Sequence, residues 1–439
     1  MTTARHLIAL AAATLATPAL AQWDPASGDW SKENPADVRV MTWNILNGIA
    51  TSNTDRTDGF NQWNAIVRIV AALQPDVLIM QECGDGDGVV VLQNEIDKFL
   101  NGGPGIETWV KLYAPSYDLP YVFVNAVGDC CNRNVILSRH PFADINGDGN
   151  FNYTDFLTIN DPSVPYQDGG TGGIRGFMYA EIDLPDATYA GDLVVGNSHL
   201  KAFGDSASFN QRVEATENIA YFIDAYYNGL GTGTSDPNSA VILPVLGSVL
   251  DENTPVVWGG DLNQSNYSFP ATTMWQAGTF GGSDGTDRDG SDATPDTAAH
   301  PISGETSTQS SSKLDYLVFQ DSIADTRNQF VFRTSGSGVT LDTLPSPVDT
   351  FPIVPQSASN LASDHRPVII DLILPSAGPT PCNSADLAAP FGSLDFSDIV
   401  AFLGAFGAMD PAADLAAPFG SFDFSDVVAF LGAFGAGCP

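Results

Sequence analysis

Positive charge is what this chain has least of. It carries 17 Lys plus Arg against 52 Asp plus Glu in 439 residues, a formal net charge of −35. Broad electrostatic capture of nucleic acid is excluded, because no basic field exists to displace counterions from phosphates. Any phosphate chemistry must therefore happen at a focused site, with a cation to offset the charge. Long apolar runs are also missing, and none approaches the ~20 residues that a membrane helix requires. Cysteine is sparse at five, with no CxxC or Cys/His spacing of the kind that holds zinc. Histidine is equally rare, at five. Core material is plentiful: 43% of residues are hydrophobic, including 25 Phe, 12 Tyr and 7 Trp. That excludes a disordered or collagen-like chain.

The N-terminus points to export. Arg5 precedes an apolar run from Leu7 to Leu15 and then Ala19-Leu20-Ala21, a small-x-small cleavage pattern. Residues 1–21 read as a secretory signal peptide cut before Gln22, which makes the protein secreted or extracellular. Export permits disulfides among Cys83, Cys130, Cys131, Cys382 and Cys438, and an odd number leaves one thiol over or paired with another chain.

A Pro-rich stretch at 375–381 reads as a linker. Beyond it, residues 382–439 contain an internal repeat with a period of 28, DLAAPFGSLDFSDIVAFLGAFGA followed by DLAAPFGSFDFSDVVAFLGAFGA. Ile399, Phe402, Leu403 and Phe406 fall at i, i+3, i+4 and i+7 of a helix, with Ser397 as its expected cap. Two such helices can bury their Phe stripes against each other, and Cys382 and Cys438 flank the pair as an expected staple.

Before the linker the pattern is α/β. Buried strands are expected at 38–43, 76–80, 193–195, 256–258, 314–318 and 367–372, with helices over 63–73 and 208–227. Residues 229–240 and 280–312 read as loops. Six strand-like runs carry polar residues at or just past an end: Thr42-Trp-Asn44, Gln81-Glu82, Asn197-Ser-His199-Leu200, Gly259-Gly-Asp261-Leu-Asn263, Lys313-Leu-Asp315-Tyr316 and Ser363-Asp364-His365-Arg366. Each alone is an ordinary capped strand end. Together they lie where ligand sites of α/β proteins gather.

Taken in order, these blocks resemble the endonuclease/exonuclease/phosphatase superfamily, the DNase I-like fold, over residues 36–374. The resemblance implies a four-layer αββα sandwich that hydrolyses phosphate esters with a divalent ion, Mg²⁺ or Mn²⁺. It gives Glu82 the role of metal carboxylate, with Asn44 and Asp364 in support. Asp261 and Asn263 match the pair that orients the attacking water and the phosphoryl oxygens. His365, oriented by Asp315, matches the family's His–Asp pair, and His199 matches its second histidine. Either Asp261 or His365 is the general base, and the sequence leaves this open. His199 sets the chain apart from apurinic-site endonucleases and aligns it with DNase I-like nucleases, sphingomyelinases, deadenylases and inositol-phosphate phosphatases. The expected function is a phosphodiesterase acting on nucleic acid through its active site. The alternatives are a sphingomyelinase-like phospholipase C, a phosphomonoesterase, or an inactive binding scaffold. Arg139, in Asn134-Val-Ile-Leu-Ser-Arg139, is either a phosphate contact or a structural surface residue, and His140 and His300 read as surface or loop residues.

Residues 144–155 have the spacing of an EF-hand loop, with Asp144, Asn146, Asp148, Asn150, Asn152 and Asp155 as candidate Ca²⁺ ligands and Gly149 at the turn. The loop resembles a dockerin-type calcium loop inserted in the catalytic domain. The C-terminal repeats resemble a weakened version, since Leu387, Ala389 and Phe391 occupy the first ligand positions and offer no side-chain oxygen. A dockerin-like module implies a surface or scaffold partner; the plainer alternative is a stabilising appendage.

Overall fold

The computed structural model describes residues 23–50 (27 excepted), 55–84, 88–125, 132–143, 177–212, 215, 253–265, 294–334 (322 excepted), 358–378, 381–388 and 391–438. The expected signal peptide, the calcium loop 144–155, the loop 229–240, Cys130 and Cys131 lie outside them. So does the helix expected over 208–227, apart from 208–212 and residue 215.

The strands are β1 (Val38–Asn44), β2 (Val77–Gln81), β3 (Tyr121–Val124), β4 (Val135–Ser138), β5 (Phe177–Ile182), β6 (Leu193–His199), β7 (Val256–Asp261), β8 (Thr294–Pro295), β9 (Asp315–Phe319), β10 (Asp325–Val331) and β11 (Val368–Ile373). The helices are α1 (Gln62–Leu73), α2 (Val89–Asn101), α3 (Val110–Tyr113), α4 (Ala358–Ala362), α5 (Phe396–Ala408) and α6 (Phe424–Ala436). The strands form two sheets, ordered β10-β11-β1-β2-β4-β3 and β5-β6-β7-β9-β8. In each sheet one central pair is parallel, β1 with β2 and β6 with β7. Parallel neighbours need a crossover, and α1 supplies the first.

Period-2 alternation builds the sandwich. Val38 and Val40 of β1, Val77 and Ile79 of β2, and Val368, Ile370 and Leu372 of β11 face the second sheet. They meet Ile182, Val195, Val257, Leu317 and Phe319 in one core. The alternate residues Met41, Trp43, Leu78, Met80 and Ile369 pack on Ile66, Ile69, Val70 and Leu73 of α1. Asn61 caps α1 by accepting from Asn64 N, and Gln74 ends it in the left-handed region. The fold is therefore the mixed α/β, two-sheet arrangement of the DNase I-like class.

Arg39 occupies the helix-side row of β1 and is fully buried. The antiparallel register sets it opposite Asp371 of β11, and Nε and Nη2 donate to that carboxylate at 2.6 and 2.8 Å. Its Nη1 donates to Trp30 O and Leu73 O. The guanidinium also lies 6.0 Å from the Trp23 ring and 5.5 Å from the Phe330 ring, so it pins the N-terminal segment to the sheet.

In the C-terminal repeat pair, α5 and α6 face each other through stacked Phe402 and Phe430 rings, 4.1 Å apart. Cys382 and Cys438 are disulfide-bonded. Two details differ from the sequence expectation. The caps are Asp395 and Asp423, each in a capping box, and Ser397 donates to Asp395 rather than capping the helix itself. Leu403 is 60% exposed, because Phe402, Ile399, Ala405 and Phe406 fill the narrow seam between two short helices. The loop carboxylates are engaged internally: Asp398 Oδ1 accepts from Leu387 N and Ala388 N, and Asp426 Oδ1 accepts from Leu415 N and Ala416 N.

Candidate active site where the inward strand rows end

The same alternation that buries Val and Ile between the sheets delivers polar residues to one end of them. Asn44 follows Val38, Val40 and Thr42 on the inward row of β1, and Gln81 follows Val77 and Ile79 on β2. Asn197 and His199 continue Leu193 and Val195 on β6; Asp261 continues Val257 on β7; and Asp315 precedes Leu317 on β9. Strand pairing then aligns them. His199 is opposite Asp261, and Asp261 is opposite Asp315. Asn44 is opposite Gln81 in the other sheet. Gly259 and Gly260 permit the tight approach, since a Cβ on Gly259 would lie 2.0 Å from Tyr316 O and one on Gly260, at φ 136°, would lie 1.8 Å from Ser198 O.

Below this row a buried amide layer ties the sheets together. Gln81 Nε2 donates to Asn197 Oδ1 at 2.8 Å, and Asn197 Nδ2 donates to Met80 O and Val135 O. These buried hydrogen bonds between the sheets fix their relative position.

Asp261 is the hub. Asn44 Nδ2 donates to its Oδ2 at 3.0 Å, His199 Nε2 is 3.4 Å and His365 Nε2 3.7 Å from the same oxygen, and Asn263 N donates to Oδ1 at 3.0 Å. Burial pushes the Asp261 carboxyl up to about 7, against the lowering effect of His365. Glu82 stands just past β2, at φ 53°, with Oε1 3.3 Å from Asn44 Nδ2 and 3.8 Å from His199 Nε2. Asn263 turns its side-chain amide away from the centre and donates to Leu200 O at 2.9 Å.

His365 is set from three sides. Its Nδ1 lies 2.8 Å from Asp315 Oδ2, its carbonyl accepts from Trp43 Nε1, and its backbone N donates to Ser363 Oγ, which in turn donates to Asn44 O. Burial alone would lower its pKa, but the Asp315 and Asp261 carboxylates outweigh that and raise it to about 10. The imidazole is thus strongly basic, and the fixed Nδ1 contact aims Nε2 at Asp261.

Sequence reasoning missed Gln309. It stands at the base of a tight turn closed by Gln309 N to Ser312 O and Ser312 N to Gln309 O, with Ser310 at φ 49°. Its side-chain amide lies 2.8 Å from His365 Nε2 and 3.1 Å from Asp364 Oδ2. No apolar period marks this Ser/Thr/Gln-rich loop, so nothing in the sequence singles the residue out. Asp364 is exposed and contacts Gln309 and Ser363; its contacts do not include Glu82 or Asn44. Arg139 lies at the far end of the sheet, because β4 runs antiparallel to β2. It pairs with Asp76, which precedes β2, so the structural reading of this arginine holds. His300 is buried, its Nδ1 accepting from Ser303 N, contrary to a surface reading.

Ligand atoms of Asp261, Asp315 and His365 lie within 4.8 Å of one another. Asp315 Oδ1 is buried and accepts no hydrogen bond. With Glu82 beside them, three carboxylates converge without a lysine or arginine among their polar contacts given above. That excess of oxygen-borne negative charge fits a hard divalent cation, with Glu82 the more open of the three carboxylates. The Asp315–His365 hydrogen bond suits that pair to proton handling instead.

Paired carboxylates, a His–Asp couple and a second histidine are the groups that metal-assisted ester hydrolysis calls for. Residues 41–398 match the Endonuclease/Exonuclease/phosphatase family, and the chain belongs to that family. Its members are phosphoric ester hydrolases, generally dependent on divalent metals. Among solved structures, an endonuclease/exonuclease/phosphatase from Beutenbergia cavernae is similar at 18% identity and a TM-score of 0.44, covering 77% of this chain and 72% of that one. A mannosyl-6-phosphatase from Bacteroides thetaiotaomicron is similar at 14% identity and a TM-score of 0.42, covering 76% and 99%. TDP2 from D. rerio, complexed with single strand DNA product, is similar at 12% and 0.41, covering 77% and 99%. No curated protein sequence matches the chain.

Proposed function

We propose that this chain is a secreted, divalent-metal-dependent phosphodiester hydrolase that acts on nucleic acid. The observation that carries the chemistry is the register-aligned row His199, Asp261 and Asp315, with His365 held against Asp315 and Glu82 and Asn44 facing it from the other sheet. In this reading Glu82 and Asn44 hold Mg²⁺ or Mn²⁺, with Asp364 as the further ligand that the family resemblance assigns. A bound ion would offset charge on the phosphoryl group. Asp261, poised at about 7, takes the proton of the attacking water, which suits general base catalysis near neutral pH. His365, basic enough to hold two ring protons, and His199 donate to the phosphoryl oxygens. Asn263 N holds Asp261 in place. Calcium at 144–155 would pin the insertion, and residues 382–439 would serve as a dockerin-like attachment module.

The test is a substrate panel of plasmid DNA, RNA, sphingomyelin and a simple aryl phosphodiester, each with Mg²⁺, Mn²⁺ or EDTA. Nucleic acid should be cleaved, and EDTA should stop the reaction. Sphingomyelin cleaved while nucleic acid stays intact would replace the nuclease reading. No turnover on any substrate would leave a binding scaffold.

A further inference from the structure

The chain leaves β6 through Leu200, whose N donates to Asp261 O at 2.9 Å and whose O accepts from Asn263 Nδ2 at 2.9 Å. Lys201, Ala202 and Phe203 follow directly. Phe203 is therefore within roughly 14 Å of chain from His199. It adopts φ 82°, a conformation that a bulky side chain rarely takes. Its ring is 72% exposed, so no packing compensates for the strain.

The turn is nonetheless built. Buried Arg212 donates through Nη1 to Lys201 O at 2.6 Å and to Phe203 O at 2.8 Å, while its Nε donates to Gln264 Oε1 at 3.2 Å. A buried guanidinium is thus spent on two carbonyls of an exposed turn. Lys201 Nζ lies 5.2 Å from the centroid of the Phe203 ring. The other four lysines each pair with a carboxylate: Lys32 with Asp76, Lys98 with Glu95, Lys111 with Asp118 and Lys313 with Asp296. Lys201 has no carboxylate partner among the described residues. In a chain of net charge −35, a lysine beside the site with no carboxylate partner among the described residues marks a place for an anion.

We propose that Lys201 and Phe203 form a subsite for the nucleotide next to the scissile phosphate. The base stacks on Phe203, and Lys201 neutralises the flanking phosphate. A phosphocholine headgroup suits the pair poorly, because Lys201 would repel its quaternary ammonium from the ring face. The proposal deepens the phosphodiester-hydrolase reading of this site and rests on it for its substrate class. A single lysine also reconciles nucleic acid with the overall charge: one phosphate contact gives a salt slope of about −0.7, a loss of roughly 2.6-fold in affinity from 50 to 200 mM salt.

The experiment measures fluorescence anisotropy of a labelled single-stranded phosphorothioate oligothymidylate on the full chain in Mg²⁺, with oligonucleotide hydrolysis followed alongside. Phe203→Ala should raise Kd about five- to 150-fold, the range of one base–aromatic stack, and Phe203→Trp should restore it. Lys201→Ala should flatten the salt dependence, and Lys201→Arg should keep it. An oligonucleotide that the wild type does not bind, or a Kd unmoved by Phe203→Ala, overturns the subsite. A Phe203→Ala defect confined to sphingomyelin vesicles would make Phe203 a membrane contact and overturn it as well. Binding through Phe203 with no phosphodiester turnover would keep the subsite while removing the hydrolase reading.

Discussion

Asp315→Asn isolates the electrostatic pairing at the heart of the site. Asparagine keeps an oxygen for His365 Nδ1 but removes the charge that, with Asp261, holds the imidazole at about 10. A histidine whose folded pKa is raised contributes stability that is fully present below its unfolded value and is lost as pH rises through the folded one. For His365 that window runs from about 6.5 to about 10. The Asp261 carboxyl, also raised, makes stability fall between its ordinary value near 3.8 and about 7, so above pH 7 the slope from this pair belongs to His365, while the buried Cys83 thiol, also pushed up, adds the same loss to wild type and variant. At about 1.36 kcal/mol per proton and pH unit, the wild type should lose at most about 4 kcal/mol between pH 7 and 10 through this group. Urea unfolding in EDTA at pH 7 and pH 10 measures it. The variant should show a clearly smaller loss. Its turnover should also fall, on the order of 10⁴-fold where a histidine depends on its orienting carboxylate. Equal pH-dependent losses in variant and wild type would refute the account of His365.

Arg39→Ala leaves Asp371 buried without its bidentate partner, and should cost about 3–5 kcal/mol in urea unfolding,. The Arg39→Met, Asp371→Leu double variant should recover most of that loss. Cys438→Ser opens a closure spanning 56 residues, worth about 4 kcal/mol to the C-terminal unit on chain entropy. Calorimetry should show that unit melting earlier while phosphodiester turnover at 25 °C is retained. His365→Ala should abolish turnover with an unchanged circular dichroism spectrum, and retained turnover would remove His365 from the chemistry.

Much of the site was legible because period-2 alternation writes it. Val195 and His199, or Val257 and Asp261, share a face by counting twos, so a strand end carrying Asp or His already declares which side it serves. The bidentate lock of Arg39 on Asp371 was not legible, since it depends on two strands 332 residues apart meeting in one register. Gln309 was hidden for a different reason. A four-residue turn has no period, and its side chain matters only because β11 brings His365 beneath it. Leu403 misled because a helical stripe gives a direction but not a width, and the seam between α5 and α6 accepts only the Phe402 side of it.

Since His199, Asp261 and Asp315 continue the apolar rows of their own strands, folding the core and assembling the site are one event of strand registration. Inserting a single residue into β6, β7 or β9 would turn the downstream side chains to the opposite face and dismantle both together. Insertions between strands carry no such penalty. Chain length can therefore change between strands, while the site stays locked to the count of residues within three short strands.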